Sequence, residues 1–303
     1  MFAHQVIEDM EAQNRLLQSG VSLTHRDKHV DIHNYIEYQK RIIEMIRQSQ
    51  KFHITDENAM IQFRKEAINK EPCFVNHIEY IKLPYDYVYL DYVVDDSKAD
   101  EELQVCKIAA LISKAENNDY DFRITFLAQR IKDHKWWLSP QGYVVHLGAG
   151  LQVFTILDIS QKDREKIISE DRGDITIINN FLLLLNCRNI YTENTKPPAA
   201  LNKARRKRGK QELFTYKTLK LLLPGKKEKH SLISEPTGEH NRIHYCRGHF
   251  KEYTAEAPLF GKITGLWWWQ PSVRGKNKEG VVIKDYNIAV NAQGDACQQS
   301  KIK

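Results

Sequence analysis

Within ten residues the chain places His240, His244, Cys246 and His249, side chains of the kind that hold a borderline cation such as zinc. On an extended strand His244 and Cys246 share one face, and His249 points to the other unless Gly248 makes a bulge. No C-x-x-C pair pre-shapes a metal site. Three readings therefore stand in order: a structural strand with a bulge, a metal site, and a metal-dependent nuclease using His244 and His249. A second group is cationic: Lys203, Arg205, Arg206, Lys207, Arg208 and Lys210 put six positive charges in eight positions. Such a run neutralises phosphates and releases counterions on RNA or DNA, grips an acidic protein surface, or is a solvated connector. It contains no aromatic residue, which argues against a single-strand stacking platform. A third group is Trp267-Trp268-Trp269 followed by Arg274. On a strand, two of the three indoles share a face. The expectation is that Trp267 and Trp269 fill a core while Trp268 points outward, as an anchor for a protein partner would. The competing reading packs all three inside, and the Trp136-Trp137 pair is equally two-sided.

The remaining chemical signals are weaker. Asp86, Asp91, Asp95 and Asp96 cluster around one strand and offer oxygen ligands for a divalent ion, although an acidic strand end is the simpler explanation. Gly148-Ala149-Gly150 follows a strand-like run, but Val153 stands where a dinucleotide loop needs its third glycine. The sequence holds no Walker loop, no G-x-S-x-G and no H-E-x-x-H. No catalytic residue, cofactor or resident metal is assigned on these grounds, and function by binding is the expectation.

The elements that must position these groups follow from periodicity. With 303 residues, 42% hydrophobic and 28% charged, the chain is long enough for about two domains at ~150 residues each. No apolar run approaches the ~20 residues of a membrane span, and no basic start followed by an apolar stretch marks a secretory signal, so a cytosolic setting is expected. Five scattered cysteines argue for reduced thiols. Charge divides the chain: residues 196–303 carry 22 Lys+Arg against 9 Asp+Glu, whereas residues 1–195 carry 23 against 30. The predicted organisation is an acidic α+β domain over 1–191, a basic connector over 192–212 containing Pro197-Pro198, and a basic, mostly-β module over 213–303. Apolar spacing predicts helices over 3–19, 31–50 (capped by Asp31) and 55–69. Strands are predicted over 84–94, 105–113, 121–131 and 143–154, with a turn at Ser139-Pro140-Gln141-Gly142. Helices over 161–170 and 174–187 follow, the second almost continuously apolar and hence buried. Strands over 214–223, 242–253, 261–270 and 281–290 are expected to form one small C-terminal sheet. The fold class is thus α+β: N-terminal helices, a central antiparallel sheet with packed helices, and the small C-terminal module.

The order of motifs in the basic half adds a resemblance. Pro197-Pro198-Ala199, Leu201-Asn202-Lys203, Arg205, Arg208-Gly209-Lys210, Leu213, Tyr216, Arg247-Gly248-His249-Phe250 and Trp269-Gln270-Pro271-x-Val273 together resemble a widespread group of phage, prophage and plasmid proteins. The Arg-Gly-His-aromatic strand followed by Trp-Gln-Pro-x-Val looks most like a branch of anti-CRISPR proteins directed against the type V-A effector nuclease. Leu83-Pro84, Val88-Tyr89-Leu90-Asp91 and the helix around Leu182–Cys187 are similar more loosely. Cys246 stands where that branch prefers arginine, and Gln211-Glu212 replace its Pro-Pro. The resemblance implies an anti-defence protein in the host cytoplasm that inhibits a nuclease-based immune system, type V-A CRISPR or another such as Gabija, by macromolecular binding. It implies as partner the host immune nuclease or its nascent chain, with RNA or DNA as an alternative partner through Lys203 to Lys210, no membrane, and homo-oligomerisation left open. The expected partner-binding residues are Arg205, Arg206, Lys207, Arg208, Lys210, Arg247, His249, Phe250, Trp268 and Arg274. The alternative is a phage nucleic-acid-binding accessory protein.

Overall fold

The computed structural model of the protein describes residues 1–21, 24–25, 28–29, 31–54, 77–94, 105–115, 121–147, 150–155, 160–221, 242–246, 248–269, 272–274 and 277–282. Over these residues the architecture is α+β with helices at the N-terminus. Helices α1 (Ala3–Gln18) and α2 (Ile32–Gln48) form where the apolar spacing predicts them, and Asp31 caps α2 by accepting the Asn34 N–H at 3.1 Å. Two short strands, β1 (Thr24–His25) and β2 (Lys28–His29), pair between them. The helix predicted over 55–69 lies outside the described residues.

Next come β3 (Gln50–His53), a 3-10 turn at Ile78–Tyr80, β4 (Tyr87–Val93), β5 (Val105–Lys114), β6 (Phe122–Arg130), β7 (Trp136–His146) and β8 (Gly150–Thr155). Helices α3 (Gln161–Glu170) and α4 (Arg172–Leu185), strand β9 (Ile190–Thr195), helix α5 (Ala199–Lys207) and strand β10 (Tyr216–Leu221) complete the main body. Eight of these strands make one sheet in the order β8-β7-β6-β5-β4-β3-β10-β9. The pairs from β8 to β4 are antiparallel, but β3 runs parallel to both β4 and β10, so the sheet is mixed. β10 enters it from the basic half of the chain, paired residue for residue with β9 from Tyr216↔Thr195 to Leu221↔Ile190.

Two helical layers sandwich the sheet, and strand alternation sorts the residues between them. Tyr89, Ala109, Leu111, Leu127, Trp136, Leu138 and Tyr216 face α1 and α2. Val88, Leu90, Tyr92, Ala110, Ile112, Ile124 and Tyr143 face the other way, onto Ile175, Ile178, Phe181 and Leu182 of α4. α3 starts with a capping box, in which the Ser160 and Asp163 side chains each accept the other's backbone N–H.

The turn predicted at 139–142 is instead part of β7. Thr125 pairs with Gly142 and Leu127 with Leu138, so Ser139, Pro140 and Gln141 lie opposite Phe126 alone. Two extra residues on one strand leave the in-out alternation unchanged, and a bulge is where a proline without an N–H is tolerated in a strand. Gly142 is required there, because a Cβ would lie 2.4 Å from the Ile124 carbonyl oxygen and 2.6 Å from the Phe154 ring. The strand predicted over 143–154 is accordingly two: the end of β7, then β8.

The C-terminal strands do not gather into one sheet either. β11 (Arg242–Cys246) lies between β14 (Ser272–Arg274) and β15 (Asn277–Val282), whereas β12 (His249–Tyr253) pairs antiparallel with β13 (Gly265–Trp269) as a separate hairpin. The predicted strand over 242–253 is therefore divided at 247–248 between two sheets.

Candidate functional site

The basic run is not an extended connector. Pro198 occupies the N-cap of α5, its fixed backbone suited to a helix start, and Gly209 ends the helix at φ 65°, a conformation that favours glycine. Arg205, Arg206 and Lys207 fall in the last turn, where positive charge is stabilised by the negative end of the helix dipole. α5 is then fastened to the body from two sides. Asn202 accepts the Leu213 N–H at 2.8 Å and donates to the Leu213 carbonyl at 2.9 Å, closing the loop that follows the helix. Arg205, its side chain only 18% exposed, meets Glu8 of α1 at 2.6 Å and donates through Nε to the Gln211 carbonyl. Glu8 also accepts the Gln211 N–H at 3.0 Å.

Beyond that loop, Tyr216 reaches under α1. Its hydroxyl donates to Asp91 at 2.9 Å and accepts the Ala3 N–H at 2.7 Å. Asp91, fully buried, also accepts the Phe2 N–H at 2.6 Å and makes a very short hydrogen bond with His53 Nδ1. Burial, then the Asp91 charge, drives the Tyr216 phenol far above its ordinary range. His4, beside this network, is pushed down to about 4 by burial and then by the Arg205 charge. Asp91 is thus a hydrogen-bonded hub of the fold. Of the other carboxylates in its sequence cluster, Asp86 pairs with Lys114 at 3.2 Å, and Asp95 and Asp96 lie outside the described residues.

With Arg205 turned inward, the outer side of α5 and its C-terminal turn present Lys203, Lys207, Arg208 and Lys210, all exposed. Arg206 is exposed too, but is paired with Glu212 at 2.6 Å. Among the described residues no carboxylate pairs with the other four. A polar groove of about 440 Å³, lined by Arg47, Gln48, Lys51, Asn194, Phe214 and Lys217, opens along β9 and β10, the two strands that α5 connects. Lys51 is buried there, donating to the Arg47 and Ser49 carbonyls at the end of α2 and lying 4.1 Å from the Phe214 ring centre; burial pushes its ammonium down to about 8.

The tryptophan strand runs opposite to the expectation. Leu266 is buried, and strand alternation sends Trp268 inward with it, against Phe250 at 4.8 Å between ring centres. Trp267 and Trp269 lie on the opposite face of β13, level with Lys251 and the exposed His249 across the hairpin. The hairpin is docked by Asn189, whose side chain accepts the Trp268 N–H at 3.1 Å and donates to the Trp268 carbonyl at 2.8 Å, as a neighbouring strand would. The Arg188 N–H adds a bond to the Leu266 carbonyl at 3.0 Å.

The expected site residues therefore fall into two places. Arg205, Arg206, Lys207, Arg208 and Lys210 belong to α5 and its C-terminal turn, while His249, Phe250 and Trp268 belong to the hairpin. Arg274 lies in β14 opposite His244, and Arg247 lies outside the described residues. His244 and His249 occupy different sheets, so the nuclease pair is not assembled on one strand. Glu8 and Asn189 had no signal in the sequence: a lone glutamate in an amphipathic helix and a lone asparagine in a turn acquire meaning only from their distant partners. The chain matches no protein-family model, no curated protein and no solved structure. No helix among the described residues is long and apolar enough to cross a membrane.

Proposed function

We propose that the protein is a mobile-element anti-defence factor that disables a host nuclease-based immune system, type V-A CRISPR or another such as Gabija, by holding a macromolecule and not by chemistry of its own. The observation that carries the binding part is α5: a helix locked to the body through Arg205–Glu8 and Asn202–Leu213, with Lys203, Lys207, Arg208 and Lys210 exposed and paired with no carboxylate among the described residues. A fixed backbone carrying unpaired cations loses little on binding an acidic partner and speeds its encounter. The anti-defence part is supported by the motif series from Pro197 to Val273, and the partner it suggests is the immune nuclease or its nascent chain, in the host cytoplasm. Phage carrying the gene should plate better than phage lacking it on hosts armed with the targeted nuclease system, and equally on unarmed hosts. Equal plating of both phages on every armed host would sink the reading.

The same four cations favour a second reading, an accessory protein that tracks phosphates of RNA or DNA. It requires affinity for nucleic acid that falls steeply with salt, with the logarithmic slope shrinking by about 0.7 to 0.9 for each phosphate contact removed. Changing Lys203, Lys207, Arg208 and Lys210 to Ala separates the two. Loss of protection without any nucleic-acid binding in the parent protein favours a protein partner.

A further inference from the structure

The turn before β4 and strand β12 meet at a surface point where His77, Glu79 and Glu252 converge. One imidazole nitrogen and one oxygen from each carboxylate all lie within 4.8 Å of one another, with His77 half-buried and both glutamates exposed. Tyr80 donates to Glu252 at 2.8 Å, from a residue 172 positions away in the chain. Neither glutamate is ion-paired with a lysine or arginine among the described residues. Two like charges held this close repel, and a cation between them removes the penalty.

Both walls of the cluster are anchored. On one side, Tyr80 packs on the core, its N–H bonds the His77 carbonyl at 2.9 Å, and Asn186 holds the Lys82 carbonyl at 2.9 Å. On the other, Phe250 and Trp268 press β12 onto the same core, with Asn189 bonded to both backbone groups of Trp268. The donors are thus brought together by tertiary structure and supported by packed neighbours, as ligand sets are.

We propose that His77, Glu79 and Glu252 bind a divalent transition-metal ion, zinc by their chemistry, which clamps the β12–β13 hairpin to the turn before β4. One nitrogen and two oxygens at about 2.0–2.2 Å suit zinc, and a tetrahedral ion keeps a fourth position for water or for a donor supplied by a partner. Two exposed glutamate side chains need only rotate inward to close the set. The site lies away from α5 and is independent of the proposed function.

Equilibrium dialysis of the full chain against zinc ions tests this, with amide hydrogen exchange as the structural readout. One zinc per chain is expected, with slowed exchange at 78–80 and 249–253. His77→Ala and Glu252→Gln should each weaken zinc binding by about 10-fold or more and abolish the slowing; losses of that order follow even when only the residues supporting a metal ligand are changed. His244→Ala and Cys246→Ser, in the separate β11 sheet, should leave both readouts unchanged. Glu252→Gln alters an exposed side chain without changing its shape, so it serves even if His77→Ala misfolds. Absence of zinc uptake overturns the proposal, as does unchanged affinity in Glu252→Gln or loss of binding only in Cys246→Ser.

Discussion

The two faces of the large sheet are built on different principles. Under α4 the contact is mostly apolar: Ile175, Ile177, Ile178, Phe181, Leu182 and Leu183 pack onto the strands, with Tyr92 to Asp174 at 2.9 Å and Tyr143 to Asp171 at 2.5 Å as polar links. Under α1 and α2 the contact is laced with directed bonds. Gln13 donates to the Trp136 carbonyl at 2.7 Å, Tyr35 to the Leu138 carbonyl at 2.9 Å, and Asp9 accepts the Trp136 N–H at 3.0 Å. Asp91 gathers Phe2, His53 and Tyr216 on that same face. Apolar burial supplies stability without direction, whereas a buried polar group is costly unless one particular arrangement satisfies it. The polar face therefore fixes where α1 lies, and through Glu8 it fixes where α5 presents its cations.

Deleting the ring of Phe181, packed 5.2 Å from Phe52, should have the largest effect: Phe181→Ala is expected to cost about 4 kcal/mol in urea unfolding, the usual cost of such a cavity. Asp91→Ala breaks the polar face and leaves two donors, the Phe2 N–H and the Tyr216 O–H, without their acceptor, at about 3 kcal/mol. If it cost no more than an exposed change, the contrast between the faces would fail. Tyr35→Phe removes one bond from the same face and should cost about 1 kcal/mol.

Acid sharpens the contrast. An unfolded histidine takes up its proton near pH 6.5, but His4 in the fold resists until about pH 4. The unfolded chain binds more protons across that window, so stability falls as pH drops through it. Urea midpoints measured from pH 7 to 4 should decline, and His4→Gln should flatten the decline. An equal decline in both proteins would remove His4 as its source. The smallest stability effect is expected from the joint alanine change at Lys203, Lys207, Arg208 and Lys210, within about 0.5 kcal/mol, because these side chains are exposed and pair with no carboxylate among the described residues.

Much of this arrangement was legible in the chain. Apolar spacing located α1, α2, α3 and α4, and alternation located β4 to β6, because both patterns are local consequences of backbone geometry. Asp31 as a cap and the α+β class were readable for the same reason. The candidate site was legible in composition and not in role. Six cations in eight positions are evident at sight, yet nothing local distinguishes Arg205, which turns to Glu8, from Lys207, which does not.

Tertiary structure alone decided the rest. Strand pairing is a choice among distant partners, and it carried β10 into the large sheet while dividing 242–253 between two smaller ones. The inward face of β13 was set by Leu266 and by the Asn189 clamp, so Trp268 went in and not out. His77, Glu79 and Glu252 met for the same reason. Glu252 is distant in sequence from the other two, and only the packing of the hairpin on the core brings it within their reach.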